Sequence, residues 1–190
     1  MAADRLRRGF ALFAVLVIFA VGAILATVIY VTLSGDNDQA RIEKAADVLH
    51  RLAAEIDTSR VTTGQSFAGQ VTVWPGKLSE LYTKITASDK QCNGTGFLTT
   101  QVNNWRGPYH LVPISSTGHN IALGFVAQDA LVKVSTSDEA ITIPNVTLDD
   151  AKRLDLFVDK VADAVNGVVS YTPTGSSPVT VSYHIKGITC

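Results

Sequence analysis

The dominant feature of the hydrophobic pattern is an uncharged segment that runs from Phe10 to Leu33. At about 1.5 Å of rise per residue, this segment would form a helix of roughly 36 Å. The hydrocarbon core of a bilayer is shorter, at roughly 30 Å, and a helix in a water-soluble core rarely stays apolar on every face for so long. The pattern therefore predicts three parts: a leader at 1–9, a transmembrane helix at 10–33 and an exported globular domain at 34–190.

The charges beside this segment predict its orientation. Arg5, Arg7 and Arg8 precede it, whereas the sequence that follows begins with Ser-Gly-Asp-Asn-Asp. Because cytoplasmic flanks are enriched in Lys and Arg, the N-terminus is expected in the cytoplasm and the head in the periplasm. The expected location is the inner membrane, crossed once.

A second hydrophobic pattern begins after the uncharged segment. Apolar residues recur at steps of three and four between Ile42 and Ile56, which predicts an amphipathic helix. Asp36 and Asp38 precede it and suit the first turn of a helix. The pattern leaves open whether this helix continues from the uncharged segment through Gly35 or hinges there.

The rest of the chain alternates apolar and polar residues in short runs. These runs predict three antiparallel hairpins, formed by 110–115 with 120–127, 131–135 with 140–143, and 168–172 with 179–185. One more helix is expected from Leu148, capped by Thr147 and ended by Asn166 and Gly167. The predicted fold class is α+β: a long N-terminal helix, transmembrane and then amphipathic, packed on a small antiparallel sheet, with one further helix and a C-terminal hairpin.

Composition and charge narrow the functions that the chain can have. The formal net charge is −1, and no clustered basic surface is apparent, so we predict no nucleic-acid partner. The only two cysteines, Cys92 and Cys190, both lie in the exported part. An oxidising compartment favours a disulfide between them.

The sequence predicts neither catalysis nor a cofactor. It contains no nucleophile elbow, no HExxH motif and no phosphate loop. His110 and His119 flank one turn without a third metal ligand at a fitting spacing, and Asp138 and Glu139 are expected to be surface acids. Three aspartates four residues apart, Asp155, Asp159 and Asp163, are expected to face water. We therefore predict a protein that is not an enzyme and that holds no metal.

The start of the chain resembles a known processing signal. Arg7-Arg8-Gly9-Phe10, followed at once by the apolar segment, is similar to the prepilin signature of type IV pilins and type II secretion pseudopilins. The resemblance implies that a prepilin peptidase cuts between Gly9 and Phe10 and that the new N-terminal Phe10 is methylated. Most members of the family carry a glutamate where this chain has Ala14, which points to a minor subunit.

A second segment carries the same resemblance. Trp105-Arg106-Gly107-Pro108-Tyr109 is similar to the WxGPY segment of many major pseudopilins, where it closes the junction between helix and sheet. The resemblance implies a structural subunit of a pilus or pseudopilus filament. Its partners would be other pilin or pseudopilin subunits, the prepilin peptidase and an inner-membrane assembly platform.

Three alternatives remain open at this point. The N-terminal segment is also compatible with a cleaved secretory signal, although such signals have shorter apolar regions, and with a plain uncleaved anchor. The alternative function is a single-pass, membrane-anchored periplasmic domain that binds a ligand or acts as a sensor.

Overall fold

The computed structural model describes residues 19–21, 23, 37–57, 66–172 and 177–187. The chain divides into two units, Met1–Ala40 and Arg41–Cys190. In the smaller unit, the described residues Phe19–Val21, Ala23 and 37–40 are helical. The elements after residue 56 all belong to the larger unit, which comprises most of the predicted head at 34–190.

The helices of the described residues are short except for the first. Helix α1 comprises residues 37–56, and the others are α2 (Phe67–Val71), a single 3-10 turn (Leu78–Leu81), α3 (Thr99–Asn104) and α4 (Leu148–Asp159). The strands are β1 (His119–Ala122), β2 (Phe125–Ala127), β3 (Val132–Ser135), β4 (Asp138–Val146), β5 (Val169–Tyr171) and β6 (Val179–Lys186). The larger unit is therefore α+β, as the sequence predicts.

Helix α1 confirms the periodic pattern read from the sequence. Every predicted apolar position from Ile42 to Ile56 is at most 1 % exposed, whereas the intervening charged residues Glu43, Lys44 and Asp47 are exposed. The residues of the buried face are Ile42, Ala45, Ala46, Leu49, Leu52, Ala53 and Ile56. Burying each of the larger side chains stabilises the fold by roughly 1.5–3 kcal/mol relative to leaving it in water.

The predicted long N-terminal helix requires a correction. Within the part of the chain that the structure describes, no helix is both long enough and apolar enough to span a membrane. The long helix that is described, α1, has a charged exposed face, so it is amphipathic rather than apolar on all sides. Of the predicted segment 10–33, only Phe19–Val21 and Ala23 are among the described residues.

The main sheet has four antiparallel strands in the order β3-β4-β6-β5. Strand β6 is central and alternates strictly, with Val179, Val181, Tyr183 and Ile185 buried between more exposed residues. This alternation places one face of the sheet in the core with α1 and α4 and leaves the other face more accessible. The predicted hairpins around 131–143 and 168–185 are confirmed as β3–β4 and β5–β6.

Polar contacts join α1 to the rest of the head, and two of them involve strand β6 and helix α4. The Tyr183 hydroxyl of β6 lies 2.8 Å from Nδ1 of His50, and Arg41 donates to the Asp150 carboxylate of α4 at 2.7 Å. The guanidinium of Arg41 also lies 5.2 Å from the ring centre of Phe125 in β2. These contacts fix the register of α1 on the sheet beyond what apolar packing alone specifies.

One predicted hairpin is wrong. Residues 120–127 do not form one strand, because the chain turns at Gly124, with φ +80, and pairs β1 with β2. Residues 110–115 are not a strand either. The backbone N–H groups of Tyr109 and His110 both donate to the Leu81 carbonyl, at 2.7 and 3.2 Å, so this stretch bonds to the 3-10 turn instead of to a neighbouring strand.

The predicted helix from Leu148 is confirmed at its start and ends earlier than expected. The Thr147 hydroxyl accepts from the Asp150 N–H at 3.1 Å, as an N-cap does. The helix stops at Asp159, because Lys160 adopts the left-handed conformation with φ +65. The predicted end at Asn166 and Gly167 lies in the irregular segment that follows.

Candidate functional site

The residues predicted for processing and for the disulfide are only partly within the described residues. Gly9 and Phe10 lie outside them, as does Cys190. Cys92 is half-buried in the loop after the 3-10 turn and is disulfide-bonded. The described residues contain no free cysteine. The pairing of Cys92 with Cys190 and the cleavage site stay predictions.

The Trp105–Tyr109 segment forms a turn that packs on the 3-10 helix. The indole Nε1 of Trp105 donates to the Glu80 carbonyl at 3.0 Å, and the Tyr109 hydroxyl accepts from the Arg106 N–H at 3.1 Å. The two aromatic rings meet edge to face with centroids 5.6 Å apart. Gly107 is required here, because an added Cβ would lie 2.4 Å from the Trp105 ring.

This turn also contacts the hydrophobic core. Tyr109 meets the ring of Phe67 from α2 at 5.7 Å, and Phe67 in turn meets Phe97 at 6.0 Å. The segment therefore joins the 3-10 turn to α2 with aromatic side chains. The resemblance implies that this segment closes a junction between helix and sheet, whereas these contacts are with the 3-10 turn and α2.

A surface cavity of about 530 Å³ opens beside this turn. It is lined by Glu55 at the end of α1 and by Gln70, Arg106, Pro108, Tyr109 and Leu111. The lining combines a carboxylate, an exposed guanidinium and an apolar side chain, Leu111, which is 88 % exposed. Such a mixed lining suits a small polar ligand or a side chain of a partner protein.

Two histidines lie behind this cavity. His110 Nδ1 is 2.7 Å from the Glu55 carboxylate, and the rings of His110 and His119 meet edge to face at 4.9 Å. Both histidines are less than 10 % exposed. Burial, together with the neighbouring His110, lowers the pKa of His119. No group of three or more His, Cys, Asp or Glu side chains in the described part of the chain is placed to hold a metal ion.

Two buried glutamates form a separate acidic pair. Glu80 on the 3-10 turn is 4 % exposed and Glu139 on β4 is 1 % exposed, so the expectation that Glu139 is a surface acid is wrong. Burial raises the pKa of each carboxyl to about 8, and the nearby Glu80 contributes to the shift at Glu139. Glu80 accepts from the Gly76 N–H at 2.9 Å. These groups are therefore mostly protonated at neutral pH.

The spaced aspartates of the predicted helix, Asp155, Asp159 and Asp163, do not form one solvated face. Asp155 is fully buried, and burial with the nearby Asp159 raises its pKa to about 6. The carboxylate of Asp159 accepts from the Val168 N–H at 3.0 Å and from the Val169 N–H at 2.9 Å, which holds the start of β5. Only Asp163 lies on an exposed turn. The prediction that Asp155 and Asp159 face water is therefore wrong.

The sequence did not predict that histidines form hydrogen bonds with residues far away along the chain. His184 on β6 lies between Ser170 on β5 and Asp138 on β4 and is within hydrogen-bond distance of both. The signal that could have found this contact is the strand alternation, which places Ser170 and His184 on the same, outward face of the predicted C-terminal hairpin. Asp138 was expected to be a surface acid and is instead half-buried.

Comparisons with protein-family models, with curated proteins and with solved structures find no match to this chain.

Proposed function

We propose that this chain is a structural subunit of a filament of the type IV pilus or type II secretion pseudopilus class. The observation that carries the proposal is α1, an amphipathic helix whose apolar face is buried on a small antiparallel sheet. In a pilin-like subunit, a helix of this kind supports the head. The Trp105–Tyr109 turn, which packs against the helical side of the head, supports the same proposal.

The sequence before α1 also supports the proposal. A basic leader ends at Gly9, Phe10 begins an uncharged segment, and the amphipathic pattern follows. In this proposal the newly made protein is first inserted in the inner membrane, with its head in the periplasm. Cleavage between Gly9 and Phe10 then releases the leader, and the assembly platform moves the chain into a filament with other subunits. Because Ala14 replaces the usual glutamate, a minor subunit fits better than the repeated one.

The processing step tests this proposal. The full-length protein is co-expressed with a prepilin peptidase, and the mass of its N-terminal peptide is measured. We expect a chain that begins at Phe10 in the native sequence and an unprocessed chain in Gly9→Ala. Ala2→Gly serves as the matched control, since it changes a leader residue away from the cleavage site. A native chain that still begins at Met1 or Ala2 would refute processing.

A second candidate function is favoured by one observation, the cavity lined by Glu55, Arg106 and Tyr109. A membrane-anchored binding or sensor domain would use such a cavity and would not need the leader to be removed. An uncleaved chain whose head is stabilised against heat by a small carboxylate, with the stabilisation lost in Arg106→Ala, would favour this second function. A cleaved chain without any ligand effect would favour the filament.

A further inference from the structure

Three side chains on the outward face of the main sheet form a continuous hydrogen-bonded chain. The Ser170 Oγ lies 2.8 Å from Nε2 of His184. On the other side of the same ring, Nδ1 of His184 lies 3.0 and 3.2 Å from the two carboxylate oxygens of Asp138. The serine and the aspartate therefore use different nitrogens of one imidazole.

The sheet register explains why these three residues meet. Strand β6 lies between β4 and β5, with Ser170 opposite Ser182 and Ala140 opposite His184. Ser170 and Asp138 are thus both diagonal neighbours of His184, at a separation that a long side chain can bridge. Their chain neighbours Val169, Tyr171 and Tyr183 are buried in the core, so the three polar side chains must point to the opposite face.

The hydrogen-bond roles follow from the chemistry of the groups. A carboxylate can only accept, so the contact with Asp138 requires a hydrogen on Nδ1 of His184. In the tautomer that carries only this hydrogen, Nε2 has a free lone pair that accepts from the Ser170 hydroxyl. This is the arrangement in which a histidine removes a proton from a serine while a carboxylate holds the ring in the required tautomer.

Ser170 is partly accessible to solvent, and the ring of His184 is held in place by its neighbours. Ser170 is half-buried, while the side chains of His184 and Asp138 are 13 % and 15 % exposed. Ser182, opposite Ser170 in the register, is half-buried as well, whereas Ala140, opposite His184, is 1 % exposed. The open side of the site is therefore at Ser170, where a compact acyl group would approach the Oγ, and the imidazole is held on both of its nitrogens.

From this geometry we propose that Ser170 is a nucleophile activated by His184 and Asp138, and that it reacts with small carboxylic esters. The Ser170 Oγ attacks the ester carbonyl, and its proton passes to Nε2 of His184. The bond to the leaving alcohol breaks as that proton is returned to the alcohol oxygen, which leaves an acyl-serine. Water then adds by the same route, releasing the carboxylic acid and restoring the serine. This activity is independent of filament assembly.

The test uses the full-length protein in detergent and a fluorophosphonate probe. In this reaction the Ser170 oxygen bonds to phosphorus and fluoride leaves, so the product is a stable adduct that peptide mass spectrometry locates. We expect labelling at Ser170, none at that position in Ser170→Ala, and full labelling in the control Ser182→Ala. Loss of the general base in His184→Gln is expected to slow labelling about 100-fold or more.

Three results would overturn the proposal. The first is labelling of the native protein that does not exceed the labelling of Ser170→Ala, including no labelling of either. The second is an adduct on Ser182 instead, and the third is equal alkylation of the two cysteine variants that follow. Ser170→Cys and Ser182→Cys provide a check that does not depend on removing the side chain. We expect the thiol at 170 to be alkylated at least about 10-fold faster than the thiol at 182, because only the former contacts the base. Equal alkylation rates would show that the three groups only stabilise the sheet.

Discussion

Replacing the two buried glutamates by glutamine is expected to stabilise the head at alkaline pH. Glu80 and Glu139 are almost completely buried, and burial raises the pKa of each to about 8 from 4.5. Glutamine has nearly the same shape and no charge. It also keeps a carbonyl oxygen that can accept from the Gly76 N–H, as the Glu80 carboxyl does at 2.9 Å.

The size of the effect follows from proton linkage. The unfolded chain loses these protons above about pH 4.5, whereas the folded chain holds them until about pH 8. The folded state therefore binds more protons in this window, and the free energy of unfolding falls as the pH rises through it. One pKa unit corresponds to about 1.4 kcal/mol, so each group could contribute up to roughly 5 kcal/mol. Because water penetration and relaxation reduce such values, we expect about 2–5 kcal/mol for the pair.

The assay is urea unfolding of residues 34–190 at a series of pH values, with the disulfide kept oxidised. The native head should lose stability between about pH 5 and about pH 8.5, and the loss should be much smaller in Glu80→Gln/Glu139→Gln. Glu43→Gln, which changes an exposed glutamate of α1, is the control and should follow the native curve. Parallel pH curves for the native protein and the double variant would refute the reasoning.

Three further substitutions test individual contacts of the head, each measured as the free energy of unfolding in urea. Trp105→Phe removes the donor to the Glu80 carbonyl and should cost about 1–3 kcal/mol, whereas a loss under about 0.5 kcal/mol would argue against this contact. Gly107→Ala places a Cβ against the Trp105 ring and should cost about 1–3 kcal/mol through overpacking; an unchanged stability would show that the turn relaxes freely. Tyr183→Phe removes the contact with His50 and should cost about 0.5–1.5 kcal/mol, a loss that disappears in a His50→Ala background if the pair is the cause.

Local patterns in the sequence predicted the elements whose side chains have one buried face. Apolar residues recur at steps of three and four from Ile42 to Ile56, and all of them are buried. This pattern predicts a helix with one buried face whatever element packs against it, because an apolar face of this width is unfavourable in water. The alternation of 179–185 predicted β6 for the same reason. The cap at Thr147 depends only on residues within one turn and was also found.

Contacts between distant parts of the chain were not predicted. Glu139 and Asp155 are polar residues at positions that face the core, and the sequence alone assigns such residues to the surface. His184 meets Ser170 and Asp138 only because three strands lie in one particular order and register. Neither the strand order nor the register is encoded in the spacing of these residues along the chain.

The turn at Gly124 was not predicted for a different reason. Residues 120–127 alternate well enough to be read as one strand, and a single glycine inside such a pattern is also compatible with a bulge. In the structure Gly124 adopts φ +80 and reverses the chain, so one predicted strand becomes the hairpin of β1 and β2. Ile121 and Phe125 are both buried, on either side of a turn that the predicted strand did not include.

Recovery of the protein with its filament partners tests the proposed function most directly. The chain is purified after in vivo cross-linking from a host with the complete assembly machinery and from the same host without the assembly ATPase. We predict that a chain beginning at Phe10 is recovered with other pilin or pseudopilin subunits, that this recovery needs the ATPase, and that Gly9→Ala abolishes it. A chain that retains Met1 or Ala2 and is recovered without such subunits in both hosts would contradict the account.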